Sequence, residues 1–250
     1  MPNSVKLYNQ FAEYYRVYSE EKQSYLSAID ELIIEALPQG PIRALDIGCG
    51  DGYRAYNLFR KINVSNLVMI DNSDAMIKLA KNYEKSNIEV LKTDITKSNQ
   101  LSGLGKFDII LCLWNVLGHI NTRKERLKAL ENIRSLMRDE AFVFLDVSNR
   151  YNAKYYGIKN LIKNIIKDLF RGNVNEIGDF EYQIKVDERK YLDAKCHFFS
   201  PFEIRNLIKS ANLKITNELA INYETGKVEK NCLQGHLFYQ LKKMKLVNRG

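Results

Sequence analysis

The chain has 250 residues, enough for one large domain or a domain with a small appendage, and enough to bury a real core. Hydrophobic residues make up 45% and charged residues 27%, ordinary values for a soluble globular protein. The longest apolar runs, such as Ile109 to Leu113, fall far short of the roughly 20 residues a membrane span needs, which excludes a helical membrane protein.

The start, Met1-Pro2-Asn3-Ser4-Val5-Lys6, has no apolar segment behind a basic opening, so no signal peptide is expected and the location is expected to be cytoplasmic. The four cysteines, Cys49, Cys112, Cys196 and Cys232, are scattered without a C-x-x-C pair and read as reduced core thiols. Net charge is +8 and lies unevenly. Residues 1–150 hold 20 Lys and Arg against 19 Asp and Glu, whereas residues 151–250 hold 18 against 11. An excess of that kind suits an anionic partner such as RNA, an acidic substrate or a membrane surface, and equally suits a solvated lysine-rich face.

Taken in chain order, residues 5–36 look helical, because Leu7, Phe11, Tyr14, Tyr15, Tyr18 and then Tyr25, Leu26, Ile29, Leu32 and Ile33 recur every three or four positions. Pro38-Gln39-Gly40-Pro41 ends that region. Ile42 to Ile47 is a short apolar strand running into a glycine turn, and Gly52 to Lys61 reads as a helix. Asn66 to Ile70 is a second strand closed by Asp71; Ser73 caps a helix through about Tyr83. Ile88 to Leu91 and Phe107 to Cys112 are the third and fourth strands, Arg123 to Met137 a helix, and Ala141 to Val147 a fifth strand. Near-continuous apolar strands separated by helices predict a doubly wound, mostly parallel sheet covered on both faces.

Beyond Asn149 the pattern changes. Tyr155 to Phe170 reads as an amphipathic helix with Tyr155, Ile158, Ile162, Ile165, Ile166 and Leu169 on one side and Lys159, Lys163, Lys167 and Arg171 on another. Phe180 to Phe199 suggests a strand pair, and Pro201 opens a helix to Ser210. Leu213 to Ile221 and Cys232 to Leu241 are expected to form an antiparallel pair that finishes the sheet.

The sharpest local signal is Ala44-Leu45-Asp46-Ile47-Gly48-Cys49-Gly50-Asp51-Gly52, lying between a strand and a helix. Glycines there allow a tight turn and a close ligand approach. A dinucleotide loop would read G-x-G-x-x-G, but the third position here is Tyr53. The acid Asp46 is awkward beside a pyrophosphate and suits a cationic group such as an amino group or a sulfonium.

With Asp71 ending Val68-Met69-Ile70-Asp71-Asn72-Ser73, Asp94 in Leu91-Lys92-Thr93-Asp94-Ile95, and Leu113-Trp114-Asn115-Val116-Leu117-Gly118-His119-Ile120 after the fourth strand, the sequence resembles the class I S-adenosylmethionine (SAM)-dependent methyltransferase family, strongly over about residues 40–150 and weakly at the C-terminal strands. The resemblance implies a Rossmann-like α/β fold with a doubly wound seven-stranded sheet, helices on both faces and an antiparallel C-terminal strand. It implies a helical cap at 1–40, a SAM-binding core at 41–150, a basic insert at 151–199 on the acceptor side, and a C-terminal part at 200–250 holding a helix and the last two strands. It also implies SAM as cofactor: the loop residues Asp46, Gly48, Cys49 and Gly50 at its methionine end, Asp71 with Asn72 at the ribose, Asp94 with Ile95 at the adenine, and Leu113 and Trp114 alongside. The aromatics Tyr8, Phe11, Tyr14 and Tyr15 resemble the family's capping helix, with Tyr14 and Tyr15 as cofactor contacts or as core.

The reaction so implied is an in-line displacement onto a nucleophilic atom of the acceptor, a nitrogen or oxygen of a small molecule being the expected target. The candidate catalytic residues are His119 as base and Arg150 as a grip for a substrate carboxylate or phosphate. His197 is a candidate for the acceptor pocket or a structural residue. No metal is implied, the three histidines showing no ligand spacing. Two other readings stay open: a tRNA wobble-base enzyme docking RNA on the basic C-terminal part, and a non-catalytic SAM-binding partner subunit. The sequence carries no signal for the oligomeric state.

Overall fold

The computed structural model describes residues 4–37, 40–62, 64–170 and 177–244. Pro38 and Gln39 of the expected turn and Arg171 of the basic stripe lie outside the described residues.

Two helices open the chain, α1 (Ser4–Glu20) and α2 (Gln23–Glu35). The alternating part then runs β1 (Ile42–Ile47), α3 (Tyr53–Arg60), β2 (Val64–Asp71), α4 (Asp74–Ala80), β3 (Ile88–Lys92), β4 (Phe107–Cys112), α5 (Arg123–Leu136) and β5 (Met137–Val147). Helix starts follow from their capping side chains. Ser73 accepts from the Met76 amide, Thr122 from Glu125, and Ser200 from Glu203 with Pro201 in the first turn. The Thr122 hydroxyl also donates to the Glu125 carboxylate at 3.1 Å.

After β5 come α6 (Ala153–Tyr156), α7 (Ile158–Phe170), β6 (Asp179–Lys185), β7 (Tyr191–His197), α8 (Pro201–Ser210), β8 (Leu213–Ile221), β9 (Val228–Glu229) and β10 (His236–Lys243). The main sheet has the order β3-β2-β1-β4-β5-β10-β8-β9. The first five strands run parallel, while β10 is antiparallel to both β5 and β8. The expected seven strands become eight because the polar loop after β8 folds back as the two-residue strand β9. No apolar pattern marks that strand, since its Val228 is exposed.

Both faces of the sheet are buried. Leu45, Val68, Ile110 and Val143 face α5 and α8 through Leu130, Ile133, Ile204 and Leu207. Ala44, Met69, Ile109 and Leu111 face α2 and α3 through Ile29, Ile33, Ala55 and Leu58. Each such Leu, Ile, Val or Met side chain contributes roughly 1.5–3 kcal/mol on burial. This two-faced packing is what the strands' lack of polar alternation predicts.

The expected insert keeps its strand pair and breaks its helix. Among the described residues β6 and β7 pair only with each other, as a separate antiparallel ribbon. Their inner residues Ile184, Leu192 and Ala194 pack on Leu7 and Phe11 of α1, so the first helix and the ribbon together form a roof over the sheet. The expected helix from Tyr155 is broken at Gly157, whose φ of +85° ends α6. The apolar side of α7 is not covered: Ile158, Ile162, Ile166, Leu169 and Phe170 are exposed, and Leu161 alone among its described residues is buried. Helical period correctly marks a helix here but does not say that the apolar side meets the core.

Candidate functional site

Strand order reverses between β1 and β4, the place where open α/β sheets leave a crevice beyond the strand ends. The glycine loop fills that position. Gly48, Gly50 and Gly52 have φ of +68°, +56° and +78°, a region that side chains disfavour. The Gly48 and Cys49 amides donate to the Ile70 carbonyl at 2.8 and 3.0 Å, tying the loop to the end of β2.

That tie brings Asp71 to the loop. Its carboxylate accepts from the Gly50 amide at 3.0 Å through one oxygen and from the Ser73 amide at 2.8 Å through the other. Burial raises its pKa, and the Ser73, Gly50 and Asn72 amides oppose that rise. Asp71, Asn72, Asp94, Ile95 and Gly50 line a small cavity of about 90 Å3. Within it Asp94 is held by the Thr96 amide and hydroxyl on one oxygen, at 2.9 and 2.7 Å.

Asp46 looks instead into a larger cleft of about 640 Å3 between α2 and α3, and Gly48 borders both spaces. Burial pushes the Asp46 carboxyl up to about 7, against the pull of the Arg54 guanidinium. Arg54 is paired with Asp30 at 2.8 Å, and Arg16 with Asp51 at 2.5 Å. The Cys49 thiol is buried and its pKa rises well above the ordinary value through desolvation, so it stays a neutral loop residue.

A third cavity, of about 270 Å3, lies between the sheet end and the roof. Tyr15 and Trp114 line all three spaces, so the junction between them falls at those two rings, whose centroids are 5.6 Å apart. Tyr15 lies directly over the loop: a Cβ placed on Gly50 would come within 2.8 Å of its hydroxyl. Tyr14 points the other way, towards Lys190 of the roof.

Trp114 and Asn115 both have left-handed backbone, φ +58° and +59°, although neither is glycine. Long-range bonds hold them there. The buried carboxylate of Asp146, at the end of β5, accepts from the Trp114 amide and from the Tyr25 hydroxyl at 2.6 Å. The Asn115 side chain accepts from the Ser148 amide at 3.0 Å. Sequence reasoning missed Asp146 and Tyr25; the one available signal was an acid inside an otherwise apolar strand.

Of the two expected catalytic residues, His119 is brought to the site and Arg150 is not. His119 borders both the smallest cavity and the third one, with Nε2 3.0 Å from the Tyr8 hydroxyl. Burial pushes its pKa down to about 4, opposed by the Lys195 backbone, so its ring is neutral at pH 7. Arg150 is buried elsewhere, bonded to both oxygens of Asp168 at 3.0 Å, to Glu203 at 2.5 Å and to the Phe198 carbonyl. A guanidinium so saturated has no donors left for a substrate carboxylate, which corrects its expected role as a grip.

His197 belongs to the same ionic chain, its nitrogens 2.9 Å from Asp179 and 2.8 Å from Glu203. Burial raises the Glu203 carboxyl, but the hydrogen bond from His197 and the charges of His197 and Arg150 prevail and hold it at about 2. Its candidate place in the acceptor pocket is therefore not taken up; it ties the ribbon to α8. Among the described residues no group of three or more His, Cys, Asp or Glu is arranged to hold a metal, and no helix is long and apolar enough to cross a membrane.

Comparison with known proteins bears on this geometry. Residues 18–218 match the model of a methyltransferase domain family. A protein of Geobacillus sp. (strain WCH70) named as a methyltransferase is 23% identical over 151 residues, a stretch covering 59% of this chain and 60% of the relative's length. Among solved structures, an S-adenosylmethionine-dependent methyltransferase from Clostridium acetobutylicum is similar at TM-score 0.64 and 18% identity, covering 94% of this chain and 98% of its own. The CcbJ methyltransferase from Streptomyces caelestis gives 0.63 at 11% identity, with 89% and 90% covered. The N-methyltransferase NodS from Bradyrhizobium japonicum, in complex with S-adenosyl-L-homocysteine, gives 0.54 at 15%, with 87% and 86% covered. At these identities the structural likeness is one of fold.

Proposed function

That this chain belongs to the methyltransferase domain family is the premise from which we propose that it binds SAM beside the loop Gly48 to Gly52 and passes the methyl group to a nitrogen or oxygen of a small molecule. The observation that carries the reading is the Asp71 carboxylate, fixed 3.0 Å from the Gly50 amide at the strand-order reversal.

The residues fit that cofactor. Gly50 leaves backbone facing the site where any Cβ would meet Tyr15, a side chain on a helix rather than the sheet. Asp71 would accept from both ribose hydroxyls and Asp94 from the adenine amine. Asp46, at the other side of the loop, would take the cationic amino group of the methionine end. When bound, SAM supplies a methyl group already activated by its positive sulfur. The protein's share is to position the acceptor, exclude water and settle where a proton goes. Tyr15 and Trp114 stand at the junction of the three cavities, where a methyl group would pass from one space to the next. His119 is neutral and near the junction, but a pKa of about 4 makes it a weak proton acceptor at pH 7, so holding Tyr8 and the roof is the role its geometry supports best.

The chamber of about 270 Å3 supports a small-molecule acceptor over a silent binder, whose pocket would be filled. The RNA reading is weaker, because the lysines of α7 share their exposed surface mainly with the aliphatic Ile158, Ile162, Ile166 and Leu169, with Phe170 the one exposed ring among the described residues of that helix. Calorimetry with S-adenosylhomocysteine, followed by transfer of labelled methyl from SAM into pooled amines, alcohols, phenols and tRNA, tests the proposal. Saturable binding and label in a small molecule are expected. Absence of binding overturns the cofactor reading, and label found in tRNA alone overturns the acceptor reading.

A further inference from the structure

The chamber between Trp114 and the roof has a chemistry of its own. Most of its lining is aromatic, with Tyr18, Trp114, Tyr155, Tyr156, Tyr182 and Phe198 presenting rings to the space. Several are ordered against one another. Tyr18 stacks on Trp114 with centroids 5.9 Å apart, Tyr156 on Phe198 at 5.6 Å, and Tyr155 meets Tyr156 edge-on at 4.9 Å. Among the described residues no lysine or arginine lines this space, in a chain whose net charge is +8. The lining acid is Asp146, and the two histidines, His119 and His236, are neutral at pH 7 because burial pushes both down to about 4. Desolvation raises the hydroxyls of Tyr18, Tyr156, Tyr182 and Tyr223 and pushes the Cys196 thiol up to about 12, so all of these stay protonated.

A space with ring faces, neutral hydroxyl oxygens and no cation favours one class of ligand. Aromatic faces carry negative quadrupole potential and attract ammonium groups. A carboxylate or phosphate entering here finds no counter-charge, and burying it unpaired is costly. The same logic sorts nucleophiles. An alcohol, phenol or thiol transfers most readily as an anion, which this lining disfavours and which no group of suitable pKa in the lining generates. An amine needs neither, because its neutral form already carries the attacking lone pair.

Resting on the SAM-dependent reading above, we propose that the acceptor is an amine, flat or short enough to lie among these rings, held as its ammonium ion by the ring faces and attacking as the free base. The ammonium ion first gives its proton to water at the open rim, where Tyr155 and Phe180 are 44% and 51% exposed. The nitrogen lone pair then forms the N–C bond while the C–S bond breaks. The bonding pair goes to sulfur, which becomes a neutral thioether, and the nitrogen takes up the positive charge. The product, a more substituted ammonium ion, is again a cation matched to the chamber.

The test uses the full chain saturated with S-adenosylhomocysteine, titrated with phenyltrimethylammonium, its neutral isostere tert-butylbenzene and the anion benzoate. The expected order is cation first, with the neutral isostere about tenfold weaker and benzoate weaker still. Tyr156→Leu, which keeps bulk but removes a ring face, should erase most of the cation's advantage while leaving S-adenosylhomocysteine affinity unchanged. Tyr155→Leu at the exposed rim serves the same end should Tyr156→Leu fail to fold. In turnover with labelled SAM, an amine should accept methyl at a rate that rises with pH through the amine's own pKa, and phenyltrimethylammonium should raise its KM without changing kcat. Equal or tighter binding of the neutral isostere or of benzoate overturns the inference, as does label entering a phenol or carboxylate in preference to the matched amine. Both outcomes leave the cofactor reading intact, whereas failure of S-adenosylhomocysteine to bind removes the reading on which the inference rests.

Discussion

The glycine-loop side and the roofed side of this molecule meet at Tyr15 and Trp114 but are built on different principles. On the loop side, the main ties are short-range or join adjacent strand ends: Gly48 and Cys49 to Ile70, Gly50 to Asp71, Asp94 to Thr96. On the roofed side, the side chains that meet arrive from distant segments. Asp146 meets Tyr25 across 121 positions, Tyr8 meets His119 across 111, and the ionic chain Asp179–His197–Glu203–Arg150–Asp168 links the ribbon, α8, the end of β5 and α7. A site made of backbone and adjacent strand ends is written locally. A chamber made of side chains from several elements depends on how those elements dock.

The comparison predicts which changes hurt stability and which hurt binding. The largest effect should come from Arg150→Met. Removing the buried cation leaves the half-buried carboxylates of Asp168 and Glu203 without it, at a cost approaching that of breaking a fully buried pair, about 3–5 kcal/mol. Denaturant melts should show this loss, while S-adenosylhomocysteine affinity of the folded fraction stays as in the wild type. A large loss of that affinity would mean that the two sides are energetically one unit.

Asp71→Ala should do the reverse. Losing charge-assisted bonds worth about 1.5–3 kcal/mol should weaken S-adenosylhomocysteine by one to two orders of magnitude in calorimetry, with a smaller effect on stability. Unchanged affinity would show that Asp71 serves the loop alone. Gly50→Val should be at least as harmful, because it forces a β-branched residue to φ +56° and drives its Cβ against Tyr15.

The two sides should also separate by pH. Asp46 keeps its proton up to about pH 7 in the fold, against an ordinary value of 3.8. Its contribution to stability is therefore complete below 3.8 and lost as pH rises through 7. On the roofed side His119 and His236 titrate near 4 in the fold against an ordinary 6.5, so their contribution is present above 6.5 and lost as pH falls towards 4. Urea melts across this range should show two flanks, with Asp46→Asn flattening the alkaline one only. A cationic ligand at Asp46 should also pull its pKa down, so binding near pH 7 should release protons, detectable as a buffer-dependent binding enthalpy.

The smallest effect is expected at α7. Lys163→Glu with Lys167→Glu should move stability by no more than about 0.5 kcal/mol per site and leave methyl transfer to a small molecule unchanged. Abolished, salt-sensitive binding of tRNA in that double variant would restore the RNA reading.

The asymmetry between the two sides explains what was legible. Asp71 and Asp94 stand out because one ends and the other closely follows an apolar strand, in a chain-order pattern that the fold preserves. Arg150 draws a candidate role from its position after β5, a good one for a substrate contact, while the partners that engage it, Asp168 and Glu203, lie 18 and 53 residues away. The α7 helix shows the same limit, since its period is plain but its apolar side faces solvent.

Sequence by itself determined the parallel core, the glycine bend, the acids that follow it and the antiparallel close of the sheet, because strand burial, turn chemistry and capping act over a few residues. Tertiary structure alone decided that α1 joins a separate ribbon as a roof, that Asp146 and Tyr25 hold Trp114 in a left-handed turn, and that a cation-free aromatic chamber lies beneath. Those features depend on docking geometry and on the desolvation of paired charges, and both are set by long-range packing that no local window of residues contains.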